Sequence, residues 1–201
     1  VVAETREQAL AAVSIVKVEY EALTVLDSPA MALAVGAPQI HADRPNLCFQ
    51  QPVIKGDAQK AMATAAVVVE NHFQTQNNHQ APLEPENSVA YLEGVGEDAV
   101  LVVMGRSINI HLHMATLQAA LGYENIRYEE PFSGGQFGIK LEIFTEGIAG
   151  AAALKFKRPV RYRPSLAESM LITSKRHPFD MQIKLGANAD GKLTALTMDI
   201  T

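Results

Sequence analysis

The most informative part of the chain is the segment SGGQFGIK at residues 133–140, between a predicted strand at 126–130 and a predicted helix. A turn from strand to helix gathers free backbone N–H groups at the helix N-terminus, where they can hold an anion or a metal-bound oxygen. Glycines let another molecule approach the backbone closely. Their positions match neither a dinucleotide-binding loop nor a P-loop, which ends in Gly-Lys-Ser/Thr. From its residues alone, the segment is either a plain turn or a ligand cradle.

Helices and strands alternate on both sides of this segment. Apolar patterns predict strands at 67–76, 88–92, 99–104, 126–130 and 160–162, and a closing hairpin whose strands lie at 179–185 and 196–200 with a turn at 188–191. Helices are predicted at 114–121 and directly after the glycine-rich segment, the latter with Phe144, Ile148, Ala151 and Ala152 on one face. The pattern indicates an α/β (α+β) fold with mixed sheets.

The first 57 residues are organised differently. A capping box at Thr5 and Gln8 predicts a short helix, and alternation at 16–21 predicts a half-buried strand. Ser28 and Pro29 predict the start of a second helix that ends at Gly36. Residues 36–56 have no periodicity and contain three prolines, which is typical of an interdomain linker, and Asp57 is a predicted cap for an Ala-rich helix. We expect both ends of the chain to be cut from a longer protein.

Composition excludes several classes of function. The formal net charge is −5 and the basic residues are dispersed, which disfavours a nucleic-acid-binding surface. The apolar runs are far shorter than the roughly 20 residues of a membrane span. Cys48 is the only cysteine, so the chain can form no internal disulfide, zinc finger or iron–sulfur cluster. Any redox centre must therefore be non-cysteinyl or lie on another chain.

Other candidate residues have simpler explanations. His111 and His113 are spaced to share one face of a strand, but two histidines are too few for a zinc site. Glu84 and Glu86 could be paired carboxylates for acid–base catalysis, although two acids around a proline are more often solvated or capping. A loose basic cluster is interpreted as a solvated face; it consists of Arg161, Arg163, Lys175, Arg176 and His177.

The glycine-rich segment resembles the Gly-Gly-x-Phe-Gly-x-Lys motif of the molybdenum hydroxylases, the xanthine dehydrogenase/aldehyde oxidase family. Further segments resemble this family in the same order along the chain, at residues 56–57, 67–70, 79–86, 158–160, 175–178 and 190–192. Lys157 stands where many members have a glycine before Arg-Pro-Val. The resemblance extends over nearly the whole chain.

Two positions bear on the substrate. Residues 105–113 are similar to those of bacterial aldehyde oxidoreductases rather than of xanthine dehydrogenases. Xanthine dehydrogenases have a glutamine near the position of Ser107 that approaches an oxygen of the metal, and its absence here argues against purine hydroxylation. Gln136 stands where the family more commonly has glycine, which leaves the substrate open.

The resemblance implies a domain organisation and a cofactor. Residues 1–36 would be the C-terminal part of an α/β hammerhead domain, 37–56 a linker, and 57–201 the N-terminal part of the molybdenum cofactor-binding domain. The cofactor would be molybdenum-molybdopterin in its dinucleotide form, with Phe137 and Gly138 packed against the metal ligands and the pterin. The implied cofactor-binding residues are Gly134, Gly135, Gln136, Phe137, Gly138 and Ser107. The resemblance implies no direct metal ligand and no catalytic residue in this chain, because the family's base glutamate lies downstream of Thr201.

The implied activity is the oxidation of an aldehyde to a carboxylic acid, with water as the oxygen source and [2Fe-2S] clusters on a partner domain or chain as electron acceptors. Further implied partners are the remaining portions of the molybdenum subunit, an FAD subunit and a second copy of the protein. We expect a cytoplasmic location, with the periplasm as the alternative, and no activity from this portion alone. Two other interpretations stay open: a non-catalytic scaffold subunit of a split-gene complex, and a stand-alone α/β binding module.

Replacing Cys48 with serine in the complete enzyme should leave the electron paramagnetic resonance signals of the [2Fe-2S] clusters unchanged. The reason is that cluster ligation takes several thiolates and Cys48 stands alone in a proline-containing linker. Loss of a cluster signal in the Cys48→Ser variant would contradict this prediction.

Overall fold

Helices and strands alternate along the chain, as the sequence predicts. The computed structural model describes all residues, Val1–Thr201. The helices are α1 (Arg6–Val13), α2 (Pro29–Leu33), α3 (Ala58–Ala63), α4 (Ile110–Leu121), α5 (Thr145–Phe156) and α6 (Leu166–Ile172). The strands are β1 (Val67–Gln74), β2 (Ser88–Glu93), β3 (Val100–Met104), β4 (Ile126–Glu129), β5 (Val160–Tyr162), β6 (Asp180–Ala187) and β7 (Leu193–Ile200). Two short 3-10 helices lie at Gly96–Asp98 and Ile139–Leu141. No helix has the length and apolar character needed to span a bilayer.

Contacts divide the chain into two units. The first contains Val1–Leu10 and Asn77–Arg176, and the second contains Ala11–Gln76 and His177–Thr201. The sheet of the first unit has the strand order β4-β3-β2-β5. β2 pairs antiparallel with β3 and β5, whereas β3 and β4 are parallel because α4 carries the chain between them. The prediction of an α/β fold with a mixed sheet is confirmed.

The core of the first unit lies around β3, the central apolar strand. Leu101, Val102 and Val103 are fully buried in succession, as expected for a strand covered on both faces. Leu117 of α4 and Ala149 of α5 belong to the same hydrophobic cluster. β3 ends at Met104, so the packed core lies directly before the site residues that follow in the chain, Gly105 to Ser107.

The predicted buried face of α5 is wrong in part. Ile148 is 48% exposed and Ala151 is also exposed. The face that packs inward consists of small and polar residues: Thr145, Glu146, Ala149, Gly150, Ala152 and Ala153. A Cβ at Gly150 would lie 3.0 Å from Leu121 Cδ1, so the helix approaches its neighbours too closely for larger side chains. The stripe of small residues, rather than the large apolar ones, marks the buried face.

The second unit contains an antiparallel sheet of order β1-β6-β7. The predicted hairpin is confirmed: β6 and β7 pair across a turn in which Asn188 Oδ1 accepts hydrogen bonds from the N–H groups of Asp190 and Lys192. Gly186 lies under α3, where a Cβ would be 2.9 Å from Met62 Sδ. The predicted cap of α3 by Asp57 is also observed, with Lys60 N–H as donor at 2.9 Å.

The N-terminal region follows its local signals but not its predicted strand. Thr5 and Gln8 form the expected reciprocal capping box, and Ser28 caps α2. Residues 16–21 do not form a strand, and Tyr20 is 87% exposed. Alternation alone cannot make a strand without a neighbour that completes its hydrogen bonds. Residues 36–56 contain no helix or extended strand.

The helix α6 is not predicted from the pattern of apolar residues. α6 begins after Ser165, which forms a complete capping box with Glu168. The spacing Ser-x-x-Glu is the one local signal that could have identified it.

Replacing Leu117 with alanine should lower the free energy of unfolding by about 2–5 kcal/mol, because it removes a fully buried side chain from the core. The control is Leu171→Ala on α6, where the side chain is 82% exposed and the expected change is within about 0.5 kcal/mol. Urea titration of both variants measures the difference. Equal losses would contradict the observed core.

Candidate functional site

The glycine-rich segment forms a loop between β4 and the 3-10 helix at Ile139–Leu141. Three of its residues have positive φ angles: Gly135 at 109°, Phe137 at 51° and Gly138 at 92°. A positive φ is uncommon for a residue with a bulky side chain such as Phe137. The prediction that a long helix follows the loop directly is wrong, because the short 3-10 helix comes first and α5 begins only at Thr145. The conformation of the loop itself, rather than a helix dipole, therefore orients its backbone groups.

The loop presents unused hydrogen-bond donors. The backbone N–H groups of Gly135, Gln136, Phe137 and Gly138 donate no hydrogen bond within the chain. Successive N–H groups in a turn with positive φ angles can form a concave site for an anion or a polarised oxygen. A Cβ at Gly138 would meet no atom within 4 Å, and the ring of Phe137 is 64% exposed. The loop thus combines free donors, open space and an accessible aromatic ring.

The carboxylate of Glu84 anchors the start of this loop. Its Oε2 accepts a hydrogen bond from Gly134 N–H at 2.8 Å. Arg106 donates from one NH2 group to Oε1 at 2.7 Å and from Nε to Oε2 at 3.1 Å. Lys140 Nζ lies 3.1 Å from Oε2, and Asn87 donates to Oε1 at 3.3 Å. Glu84 is therefore a fixed and paired side chain, unlike the solvated carboxylate that the sequence favours.

These partners keep Glu84 ionised. Burial by itself would raise the pKa of the carboxyl group, but the hydrogen bonds from Gly134, Arg106, Lys140 and Asn87 together outweigh it and lower the pKa from 4.5 to about 2. A lowered pKa contributes stability that is present above pH 4.5 and is lost as the pH falls towards 2. Glu84 is therefore ionised near neutral pH, and its charge faces the cations of Arg106 and Lys140.

A second carboxylate holds the other side of Arg106. Glu146 of α5 is buried, and its Oε1 accepts hydrogen bonds from the backbone N–H of Arg106 and from Tyr128 Oη, each at 3.3 Å. Burial and then the charge of Glu146 raise the pKa of Tyr128. A Cβ at Gly105 would lie 2.6 Å from Glu146 Cγ, which explains why glycine precedes Arg106. Arg106 is thus held through its backbone by α5.

The predicted site residues Ser107 and Gln136 are in direct contact. Gln136 Nε2 donates to the Ser107 carbonyl at 3.1 Å and also lies 3.4 Å from Glu130 Oε1. Glu130 Oε1 accepts a further bond from Ser107 N–H at 3.1 Å. Ser107 is only 4% exposed, and its hydroxyl accepts a hydrogen bond from Asn109 N–H. Its backbone rather than its hydroxyl therefore contacts the loop.

The basic cluster does not act as one group. Arg176 donates to the Phe137 carbonyl at 3.2 Å, which supports the residue with the strained backbone. Lys175 instead donates to Thr173. Arg176 is the member of the cluster that hydrogen bonds to the glycine-rich loop.

The two histidines lie on a helix and not on a strand. α4 begins at Ile110, four residues earlier than predicted, so that His111 and His113 point in different directions. His113 is buried, lies edge-on to Tyr128, and its Nε2 is 2.7 Å from the Leu141 carbonyl. His111 is exposed. The shared face predicted for this pair is therefore wrong.

Glu86 belongs to a different environment from Glu84. It is buried, and its Oε2 accepts a hydrogen bond from Ser169 Oγ at 2.5 Å, while Ser169 Oγ lies 3.4 Å from His79 Nε2. The two carboxylates therefore share no hydrogen-bond partner and do not form a pair.

Arg106 and Lys140 contribute to the site without a role predicted from the sequence. Lys140 ends the glycine-rich motif and Glu84 lies in the His…Glu-Pro stretch, so both segments were visible as resemblances. Glu84 and Lys140 are 56 residues apart, and nothing in the sequence indicates that they form an ion pair. That contact depends on how the chain folds.

The chemistry of the loop fits an oxygen-rich cofactor. Four consecutive N–H groups from Gly135 to Gly138 are available to oxygen acceptors, and the open space at Gly138 removes the steric barrier to close approach. The exposed ring of Phe137 adds an apolar surface. The chain contains no group of three or more histidine, cysteine or acidic residues that could hold a metal ion by itself.

Known proteins are similar to this chain in sequence. Residues 40–201 match the family described as the molybdopterin cofactor-binding domain. The chain is 34% identical over 203 residues to aldehyde oxidoreductase from Megalodesulfovibrio gigas, covering 99% of this chain and 22% of that protein. It is 32% identical to a probable xanthine dehydrogenase subunit of Bacillus subtilis, covering 97% of this chain and 26% of the relative. It is 29% identical to the nicotinate dehydrogenase large molybdopterin subunit of Eubacterium barkeri, covering 100% of this chain and 47% of the relative.

The fold agrees as well. The solved structure of the aldehyde oxidoreductase from Desulfovibrio gigas superposes with a TM-score of 0.89 at 34% identity, covering 98% of this chain and 22% of that chain. The chain thus spans between about a fifth and a half of the length of these relatives. The chain belongs to the molybdenum hydroxylase family of oxidoreductases, and residues 40–201 match the family's molybdopterin cofactor-binding domain.

Proposed function

We propose that this chain is part of a molybdenum-dependent aldehyde oxidoreductase that converts an aldehyde to a carboxylic acid with water as the oxygen source. The observation that carries the proposal is the exposed loop at 134–138, with free backbone N–H groups and open space at Gly138. The choice of an aldehyde is supported by the 34% identity to the aldehyde oxidoreductase of Megalodesulfovibrio gigas, over 99% of the chain.

In this proposal, the loop holds the molybdenum-molybdopterin cofactor in its dinucleotide form. The N–H groups of Gly135 to Gly138 donate to its oxygen atoms, and the ring of Phe137 packs against it. Gly134, Gln136 and Ser107 maintain the loop beside it. When bound, the cofactor supplies the two-electron oxidation and the route by which electrons reach [2Fe-2S] clusters on a partner domain or chain.

The chain's own residues bind and orient in this proposal, and the base that takes the substrate's proton belongs to another part of the enzyme. Glu84 stays ionised and paired, so it holds charge without transferring a proton. Arg176 supports the Phe137 carbonyl. Gly138 keeps the approach to the backbone open.

The rest of the organisation is proposed on the same family basis. Residues 1–36 would complete an α/β hammerhead domain, 37–56 would link it to the next domain, and 57–201 would begin the cofactor-binding domain. The partners would be the remaining portions of the molybdenum subunit, a [2Fe-2S] domain or subunit, an FAD subunit and a second copy of the enzyme. The enzyme would function in the cytoplasm, or alternatively in the periplasm.

A second candidate is a non-catalytic scaffold subunit of a split-gene complex. It is favoured by the relative from Eubacterium barkeri, which is named as one subunit and of which this chain covers 47%. In that arrangement the loop would supply part of the cofactor site, and a second polypeptide would supply the remainder. The copurification of a separate polypeptide carrying the rest of the molybdenum domain would distinguish this arrangement from a single large subunit.

Replacing Gly138 with valine in the complete enzyme should lower the molybdenum content per polypeptide, because the added side chain would occupy the space of the cofactor. The matched control is Gly191→Val in the β6–β7 turn, where φ is also positive and a Cβ would also meet nothing within 4 Å. Both changes should cost about 1–3 kcal/mol through backbone strain. Mass spectrometry of the metal separates them: only Gly138→Val should lose molybdenum, and full occupancy in that variant would contradict the site.

The substrate class can be tested with the purified complete enzyme. We expect turnover of small aldehydes with a kcat/KM at least about tenfold above that for xanthine or nicotinate, a difference of about 1.4 kcal/mol in transition-state binding. Reduction of an artificial electron acceptor measures the three rates, with the molybdenum content of each sample determined in parallel. Preference for xanthine or nicotinate would overturn the aldehyde assignment while leaving the cofactor site intact.

A further inference from the structure

The loop at 134–138 has a single carboxylate contact at its beginning. Glu84 contacts Gly134 twice: its carboxylate accepts the Gly134 N–H at 2.8 Å, and its own N–H donates to the Gly134 carbonyl at 3.3 Å. The first unused N–H group belongs to the next residue, Gly135. Glu84 therefore holds the residue that directly precedes the row of free donors.

We propose that Glu84 is a positioning residue for the cofactor, acting through Gly134 on the row of free N–H groups from Gly135 to Gly138. This inference rests on the proposed function of that loop as the cofactor contact. Glu84 itself does not need to touch the cofactor, because its effect is transmitted by the backbone of the loop.

The close approach at Gly134 shows that the contact is specific. A Cβ at Gly134 would lie 2.6 Å from Glu84 Cβ, which real side chains essentially never reach. Glycine is therefore required here to let the backbone reach the carboxylate, whereas the position of a Cβ at Gly138 is open. The two glycines have different functions: one serves the anchor, the other leaves room for a ligand.

The charges around Glu84 make it more than a single hydrogen-bond acceptor. The side chain of Lys140 is 2% exposed and that of Arg106 is 13% exposed. Both cations pair with the same carboxylate. Removing this negative charge leaves a buried ammonium group without a partner, which is strongly unfavourable. Glu84 thus links Arg106 both to the loop, through Gly134, and to the 3-10 helix, through Lys140.

Arg106 in turn is fixed to the core of the first unit. Its backbone N–H donates to Glu146, which is buried on α5. The path from the core to the loop is therefore continuous: Glu146, Arg106, Glu84 and Gly134 contact one another in that order. The loop receives its position from rigid elements through this path, as a precise binding site requires.

A glutamine cannot replace Glu84 in this contact. All four of its partners are hydrogen-bond donors: Gly134 N–H, Arg106, Lys140 and Asn87. A carboxylate offers two acceptor oxygens, whereas an amide offers one and presents an NH2 group at the other position. Glu84→Gln therefore removes a charge and also places a donor against a donor.

The test compares three variants of the complete enzyme: Glu84→Gln, the double variant Glu84→Gln/Lys140→Met, and Glu142→Gln as control. Glu142 is a second glutamate near the loop in the sequence, but it is exposed and makes no hydrogen bond through its side chain. The double variant removes the unpaired ammonium group together with the carboxylate, so it separates charge balance from loop positioning. Three properties are measured: molybdenum per polypeptide, the thermal midpoint of the cofactor-free enzyme, and hydrogen–deuterium exchange of residues 133–138 in that form.

We expect Glu84→Gln to weaken cofactor retention by about 10- to 100-fold, the range found for residues that orient a metal site without touching it. The exchange of Gly134 N–H should rise by about tenfold, because at most one uncharged amide oxygen remains for the donors of Gly134, Arg106 and Lys140. The double variant should regain the thermal midpoint and still lack molybdenum. Glu142→Gln should match the unmodified enzyme in all three measurements.

Wild-type molybdenum content in Glu84→Gln would overturn the inference, as would unchanged exchange of the loop. It would also be overturned if the double variant regained molybdenum together with its thermal midpoint, because Glu84 would then only balance charge. If Glu84→Gln fails to accumulate, the double variant alone decides. Full molybdenum content in Gly138→Val would contradict the proposed function instead. Hydrogen–deuterium exchange of the cofactor-free loop in Glu84→Gln would still show whether Glu84 holds Gly134.

Discussion

The carboxylate of Glu84 is the interaction on which the arrangement of the site depends. It joins its own segment to two others that are distant in sequence: the residues after β3, and the glycine-rich loop together with the adjoining 3-10 helix. Each partner is a donor and two are cations, so the carboxylate stays ionised with a pKa of about 2. An ion pair this well shielded keeps its geometry when the surrounding salt or pH changes moderately. A loop with strained backbone angles needs such an anchor.

The packing of the first unit explains why this anchor is in place. The buried strand β3 carries the chain to Gly105 and Arg106, and α5 lies close to it through small residues such as Ala149 and Gly150. Because the helix approaches so closely, Glu146 reaches the backbone of Arg106. A stripe of larger residues would move α5 outwards and remove that contact. The core therefore fixes Arg106, and Arg106 with Glu84 fixes the loop.

The loop itself is built to leave its backbone unused. Four consecutive N–H groups from Gly135 to Gly138 have no partner within this chain, and they lie on an exposed or half-buried loop where a ligand can reach them. Phe137 holds a left-handed conformation that Arg176 supports through its carbonyl. Unused donors and strained residues are concentrated at functional sites, because the surrounding structure maintains them. The loop at 134–138 combines both features.

The amino-acid sequence by itself determined the features that depend on neighbouring residues. Hydrophobic alternation predicted the β6–β7 hairpin, capping residues predicted the starts of α1 and α3, and the glycine-rich segment with its companion segments identified the family. It failed at residues 16–21, which alternate but have no strand beside them. It also missed the first turn of α4, which is capped by Asn109 and contains His111 and His113. Only the tertiary structure decided that Glu84 meets Lys140, 56 residues away, because burial and the convergence of two cations on one carboxylate arise after the chain has folded.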